Sequence, residues 1–221
     1  MKMMINKYHT VLALLVVASA LGFRFAESDP YVDRIVSFEP GVGAGFGQDK
    51  QPDIVLGAPR GHGKLEPSDH VLSLGKGGKI TLEFVDNEVF DGEGPDFIVF
   101  ENAFLKAPGD DPGNGFFELA KVEVSADGKE WKEFSFDTVS RKGCAGHHPV
   151  LANPDANDIS PTDPEKAGGD PFDLKDVGLA MIRFVRITDL DNSTGAEGTM
   201  GFDLDAVAAV HSRPRKEESP K

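Results

Sequence analysis

Short apolar or alternating runs recur along the chain, each bounded by Gly, Pro, Asp or Asn. Arg34-Ile35-Val36-Ser37-Phe38, Asp53-Ile54-Val55-Leu56 and Val71-Leu72-Ser73-Leu74 come first. Lys79 to Val85, Asp96 to Glu101, Leu119 to Ser125, Trp131 to Phe136, Met181 to Thr188 and Phe202 to His211 follow. These runs are rich in β-branched and aromatic residues with a period near two, the pattern of half-buried strands. Many short strands without a convincing amphipathic helix predict an all-β fold, a β-sandwich or jelly roll. Gly75-Lys76-Gly77-Gly78 and Asp127-Gly128 predict hairpin turns, because glycine supplies the positive φ such turns need.

Two stretches depart from this pattern. Residues 140–175 are rich in Pro, Asn, Asp and Gly and carry hardly any apolar run. So long an irregular loop is uncommon unless functional, and it is expected to cover one end of the sandwich. At the N-terminus, Lys2 and Lys7 precede the uncharged run Val11 to Phe23, and Ala18-Ser19-Ala20 offers a small-x-small cleavage site. That arrangement predicts a signal peptide over residues 1–20, since the apolar run is shorter than the roughly 20 residues needed to span a bilayer. The expected organisation is therefore a signal peptide, one β-sandwich domain over 30–211 and a disordered polar tail over 212–221. An exported protein without a membrane span after processing follows, destined for the periplasm, the cell surface or the medium.

Charge narrows the partners. With 23 Lys+Arg against 37 Asp+Glu in 221 residues, the formal net charge is −14. Phosphate binding draws on clustered positive charge, so a nucleic-acid partner is not expected. Cys144 is the single cysteine, which excludes an internal disulfide even in an oxidising compartment. A lone cysteine most often behaves as a small buried hydrophobe. The adjacent His147-His148 reads as a solvated loop pair, since no zinc-like spacing accompanies it. Gly41 to Gly47 lacks the G-x-G-x-x-G register and a following helix start, so it is not a nucleotide loop.

The acidic clusters are the sharpest chemical signal. In Asp91-Gly92-Glu93-Gly94-Pro95-Asp96, continuing to Glu101-Asn102, glycines separate three acidic side chains just before a strand. Hard cations such as Ca²⁺ want six to eight oxygens, and glycines let carboxylates and carbonyls converge. The bland alternative is a polar turn whose Asp residues cap backbone amides. Asp203 and Asp205 alternate with Phe202 and Leu204, so in a strand both carboxylates share one face. Asp91, Glu93, Asp96, Glu101, Asn102, Asp203 and Asp205 are accordingly the candidate Ca²⁺ ligands, in one site or several. Asp189-Leu190-Asp191-Asn192-Ser193-Thr194 fails as an EF-hand, because Thr194 stands where glycine is required and Met200 where the closing glutamate would be.

Val122-Glu123-Val124-Ser125-Ala126-Asp127-Gly128-Lys129-Glu130-Trp131 resembles the strand-turn-strand of discoidin-type, galactose-binding-like jelly rolls, and Arg183-Phe184-Val185-Arg186-Ile187 resembles a later strand of the same domains. Asp53 to Pro59, Asp91 to Asn102, Gly168 to Leu174 and Gly201 to Val207 are similar to segments of a group of secreted bacterial cell-surface proteins. The likeness runs from about Val32 to His211. It implies a β-sandwich with a structural Ca²⁺ and end loops able to hold a sugar, and it does not imply an enzyme. In such domains exposed aromatics with Arg, Asn or His form the sugar site, whereas Trp131 in the hairpin is expected in the core. The expected function is thus a non-catalytic surface module for a carbohydrate or cell-envelope component. Alternatives are a hydrolase using Glu93 and Glu101 as acid and base, or a purely structural envelope protein.

Overall fold

The computed structural model describes residues 28–109, 114–192 and 200–215; the expected signal segment lies outside them. Among the described residues fourteen strands follow one another: β1 Arg34–Glu39, β2 Leu72–Ser73, β3 Lys79–Glu83, β4 Asn87–Phe90, β5 Phe97–Glu101, β6 Phe104–Leu105 and β7 Gly115–Phe116 in the first half. The second half holds β8 Ala120–Ser125, β9 Lys132–Glu133, β10 Asp170–Phe172, β11 Met181–Ile182, β12 Phe184–Asp189, β13 Asp203–Ala209 and β14 Ser212–Pro214. The helical content among the described residues is two short 3₁₀ turns, Gln48–Lys50 and Leu174–Val177. None of their helices is long and apolar enough to cross a membrane.

Every strand pairing is antiparallel. One sheet runs β1-β3-β12-β8-β9 and a second β10-β5-β13-β2, with smaller sheets β11-β4-β14 and β6-β7 beside them. The alternation in β12 explains its place: Val185 and Ile187 are buried while Phe184 and Arg186 are only partly covered. Val185 and Ile187 join Ile80, Leu82, Val122 and Val124 in a core shared with Phe97, Val99, Leu204 and Val207 of the second sheet. Burying each fully covered Phe or Leu contributes about 1.5–3 kcal/mol.

β5 and β13 are buried at every position, and the reason is a third layer. Ile98, Phe100, Ala206 and Ala208, on the face away from that core, pack against Val150, Ala152 and Ala167. The long 140–175 segment therefore lies across the outer face of the second sheet instead of covering one end. It also contributes β10, which pairs with β5 through Asp170 opposite Val99 and Phe172 opposite Phe97.

Other expectations need correction. Asp53 to Leu56 forms turns, with Ile54 N–H donating to the Lys50 carbonyl; Ile54 and Val55 are buried and Leu56 partly so, but no strand forms. The Gly75–Gly78 turn carries the chain from β2 in one sheet to β3 in the other, so it is a crossover and not a hairpin. Here a Cβ on Gly75 would stand 2.6 Å from the Gly41 carbonyl oxygen, and one on Gly201 would stand 2.5 Å from the Gly75 carbonyl carbon. The glycine run thus serves close backbone packing. Asp127-Gly128 does turn a hairpin between β8 and β9, with the Asp127 carboxylate accepting from Lys129 and Glu130 N–H. Trp131 is half-buried outside the core, under the Arg186 guanidinium at 3.6 Å, because Phe184 and Arg186 face away from Val185 and Ile187. Ser212–Pro214 pairs with β4, so these three residues are ordered strand and not part of a disordered tail; residues 216–221 of the expected tail lie outside the described residues.

Candidate functional site

β5 distributes the candidate ligands between its two ends. Five residues at about 3.3 Å each separate Asp96 from Glu101 by roughly 16 Å, so the two carboxylates cannot share an ion. Asp91, Asp96 and Asp173 cluster at the first end, with carboxylate oxygens within 4.8 Å of one another. Asp96 is fully buried and well supplied: Gly92 N–H and Leu174 N–H each donate at 2.7 Å, and His211 Nδ1 lies at 2.8 Å. Asp173 caps the 3₁₀ turn after β10 by accepting from Lys175 N–H at 2.9 Å. Asp91 and Glu93 are exposed. Glu93 and Glu101 lie on opposite sides of β5 along the chain and do not form the acid–base pair considered above.

The far end of β5 is different. Leu204 of β13 pairs with Glu101 and Ala206 with Phe100, so Asp205 occupies a bulge. Asp203 and Asp205 consequently meet different surroundings. Both Asp205 oxygens accept from Arg60 N–H, at 3.1 and 2.8 Å, and His70 Nδ1 stands 3.8 Å away. Burial pushes the Asp205 carboxyl above its ordinary value, with His70 and Arg60 offsetting part of the rise. Asp203 instead lines a cavity of about 600 Å³ together with Glu101, Asn102 and Glu118.

Both buried carboxylates at this cavity are incompletely paired. Glu101 is 2% exposed and Asp203 9%, yet Glu101 Oε2 and Asp203 Oδ1 have no hydrogen-bond partner. A buried carboxylate oxygen without a donor costs several kcal/mol in its charged form, so it needs a proton or a cation. Burial, then the nearby charges of Asp203, Glu118 and Asp170, push the Glu101 carboxyl well above its ordinary range. Burial, then Glu118, raise Asp203 to about 7, against the pull of hydrogen bonds from Ser73 and Asn102. Asn102 Oδ1 is itself fixed by Ser68 N–H at 2.6 Å. The acidic oxygens fit a hard divalent cation, which takes carboxylate and carbonyl oxygen and tolerates irregular geometry.

Aromatic side chains wall the same cavity. The β6-β7 ribbon brings Phe104 and Phe116 together as a stacked pair at 4.8 Å, and Phe116 is 52% exposed. Phe46 reaches the cavity from the glycine-rich loop and is also exposed. Asn192 secures the segment between β7 and β8 by accepting from Leu119 N–H at 2.8 Å and donating to the Phe117 carbonyl at 3.2 Å. Glu101, Asn102 and Asp203 were among the residues singled out from sequence. Glu118, Phe46 and Phe116 were not, since each gains its place only through tertiary pairing.

Neither a family model nor a curated protein matches this chain. A solved structure similar to it is the C-terminal domain of a chitobiase from Bacteroides fragilis, at 11% identity and a TM-score of 0.29. The alignment covers 63% of this chain and 65% of that one, just under two thirds of the latter. A score of that size does not define a common fold. The class its architecture defines is an all-β protein of several antiparallel sheets with an acidic, aromatic-walled cavity at the end of its central strands.

Proposed function

We propose that the chain is an exported, non-catalytic binding module, a β-sandwich of the jelly-roll, galactose-binding-like type. In this reading the cavity holds Ca²⁺ near Glu101, Asp203 and Glu118 and presents Phe46 and Phe116 to a carbohydrate or another hydroxyl-rich envelope component. The observation that carries it is the pair of buried, partnerless oxygens, Glu101 Oε2 and Asp203 Oδ1, on side chains that line the cavity. A divalent ion there would relieve the mutual repulsion of the carboxylates, and exposed phenyl faces suit the apolar faces of sugar rings. Asp91, Glu93, Asp96 and Asp205 lie outside this ligand set.

Calorimetric titration of Ca²⁺ into chelator-stripped protein tests the reading, with Glu101→Gln as the comparison. Saturable binding weakened at least tenfold by the substitution supports it; equal binding by both proteins overturns it. Retention on an immobilised polysaccharide in Ca²⁺ but not in chelator would support the carbohydrate assignment, and no retention on any of a broad glycan panel would sink it. A second reading is favoured by the elevated carboxyls: Glu101 and Asp203 share a proton and act as an acid–base pair. Absence of Ca²⁺ binding together with glycan turnover would select it.

A further inference from the structure

His147 and His148 do not form the solvated loop pair expected from sequence. They close upon Asp170, the first residue of β10, which is 1% exposed. His147 Nδ1 stands 2.8 Å and His148 Nδ1 2.7 Å from the same oxygen, Asp170 Oδ1. The two imidazole centroids are 4.1 Å apart. The second oxygen, Oδ2, is occupied by main-chain donors, Gly146 N–H at 2.6 Å and His147 N–H at 3.1 Å. Those donors fix the plane of the carboxylate and leave Oδ1 to face both rings.

Hydrogen bonding accounts for only one of these rings. His148 Nδ1 bonds to Asp170 Oδ1, whereas His147 Nδ1 is buried and makes no hydrogen bond despite its proximity. Two charged imidazoles in contact would repel, and two neutral ones must either crowd their Nδ1–H groups onto one oxygen or turn an Nδ1 lone pair toward it. Three donor atoms all within 4.8 Å of one another do satisfy a different demand. A tetrahedral ion with bonds near 2.0–2.1 Å holds its donors roughly 3.4 Å apart, an outward adjustment of several tenths of an ångström here. Two imidazole nitrogens and one carboxylate oxygen form the donor set of borderline divalent transition metals, and the main-chain bonds to Oδ2 are the outer support such ligands usually have. His148 is more than half exposed, which leaves a fourth position accessible to solvent.

We propose that His147, His148 and Asp170 form a binding site for a divalent transition-metal ion of the zinc class. The ion ties the 147–148 loop to β10 within the covering 140–175 segment and is separate from the oxygen-lined cavity. Cys144 takes no part. It is buried, its Sγ lies 3.9 Å from the Asp137 carbonyl, and burial, then the charges of Asp170 and Asp137, push its thiol above the ordinary value.

The test is titration of Co²⁺ and Zn²⁺ into tag-free, chelator-stripped protein, followed by the visible absorption of Co²⁺ and by calorimetry. The expected result is one equivalent bound with a tetrahedral Co²⁺ spectrum, unaffected by millimolar Ca²⁺. His148→Ala, at an exposed position, should leave the stripped protein with a cooperative unfolding transition, its midpoint lowered only by loss of the bond to Asp170, and weaken the metal at least tenfold. His147→Ala should do the same to the spectrum. Absence of saturable binding, or binding by His148→Ala equal to that of the parent chain, overturns the proposal. Loss of Co²⁺ binding in Glu101→Gln would place the ion in the cavity and overturn it as well.

Discussion

The two ends of β5 carry the same chemical group in opposite circumstances. At one end the Asp96 carboxylate is wholly buried and receives Gly92 N–H, Leu174 N–H and His211. At the other, Glu101 and Asp203 are comparably buried, face an additional acid in Glu118, and each retain an oxygen without a donor. Burial of a carboxylate therefore does not mark a site by itself. Asp96 acts as a cap that joins the 91–96 turn, the 3₁₀ turn after β10 and the segment after β13. The Glu101 end is left with an electrostatic debt that a ligand can settle.

That contrast can be broken most forcefully at Asp96. Asp96→Ala strips an acceptor from two backbone donors and a histidine, and each buried donor left unpaired costs about 1–3 kcal/mol. A loss of roughly 3–5 kcal/mol in urea unfolding is expected, while the stabilisation by Ca²⁺ that the proposed function calls for should match that of the parent chain. If that stabilisation vanished with Asp96, the two ends would not be functionally distinct.

Neutralising the other end should work in the opposite direction. In chelator at neutral pH, Asp203→Asn or Glu101→Gln should raise stability by about 1–2 kcal/mol, because folding no longer has to protonate or bury a carboxylate that is charged in the unfolded chain. The same variants should lose stabilisation by Ca²⁺, which follows from linkage. Destabilisation in chelator would mean that these carboxylates have structural partners like those of Asp96.

Acidity offers a subtler probe. Folded Asp203 holds its proton up to about pH 7, whereas the unfolded carboxyl releases it near 3.8. Between those values the folded chain binds more protons, so this group's contribution to stability falls as pH rises through the window. Calorimetric midpoints of the stripped protein should carry this downward contribution from pH 5 to pH 7 and level off above it, and saturating Ca²⁺ or Asp203→Asn should remove it. A pH profile identical in the parent and Asp203→Asn proteins would refute the protonated state. The smallest effect on stability is expected at Phe116, whose exposed ring should cost under about 1 kcal/mol when replaced by Ala. Its loss should still reduce retention on any polysaccharide that binds; unchanged retention would remove the aromatic wall from the ligand surface.

The sequence made the longer strands legible because their side chains alternate between a shared core and a freer face, as in β8 and β12. β4, β10 and β14 were missed since two to four residues of pairing leave too short a pattern, and Asp53 to Leu56 misled because buried turns can be as apolar as strands. The site was half visible. Glu101, Asn102 and Asp203 stand in acidic segments that invite attention, but nothing local tells a satisfied Asp96 from an unsatisfied Glu101. That distinction depends on donors from distant segments: Leu174 for Asp96, Arg60 for Asp205. Likewise His147-His148 is conspicuous in the chain, while the carboxylate that unites the pair lies more than twenty residues onward in a strand only three residues long.

The order of strands in the two principal sheets has a consequence for how the molecule assembles. β12 lies between β3 and β8, and β13 between β5 and β2, so each middle strand is synthesised after both neighbours it joins. Until residues 184–209 arrive, the earlier strands have an unfilled gap at the centre of each sheet and expose apolar edges toward it. Pairings such as Glu83 with Phe184 and Phe97 with Ala209 also span about a hundred residues, which makes closure slow by the topology of the contacts alone. The chain is thus built to stay open through most of its synthesis and to condense when its last two long strands are inserted.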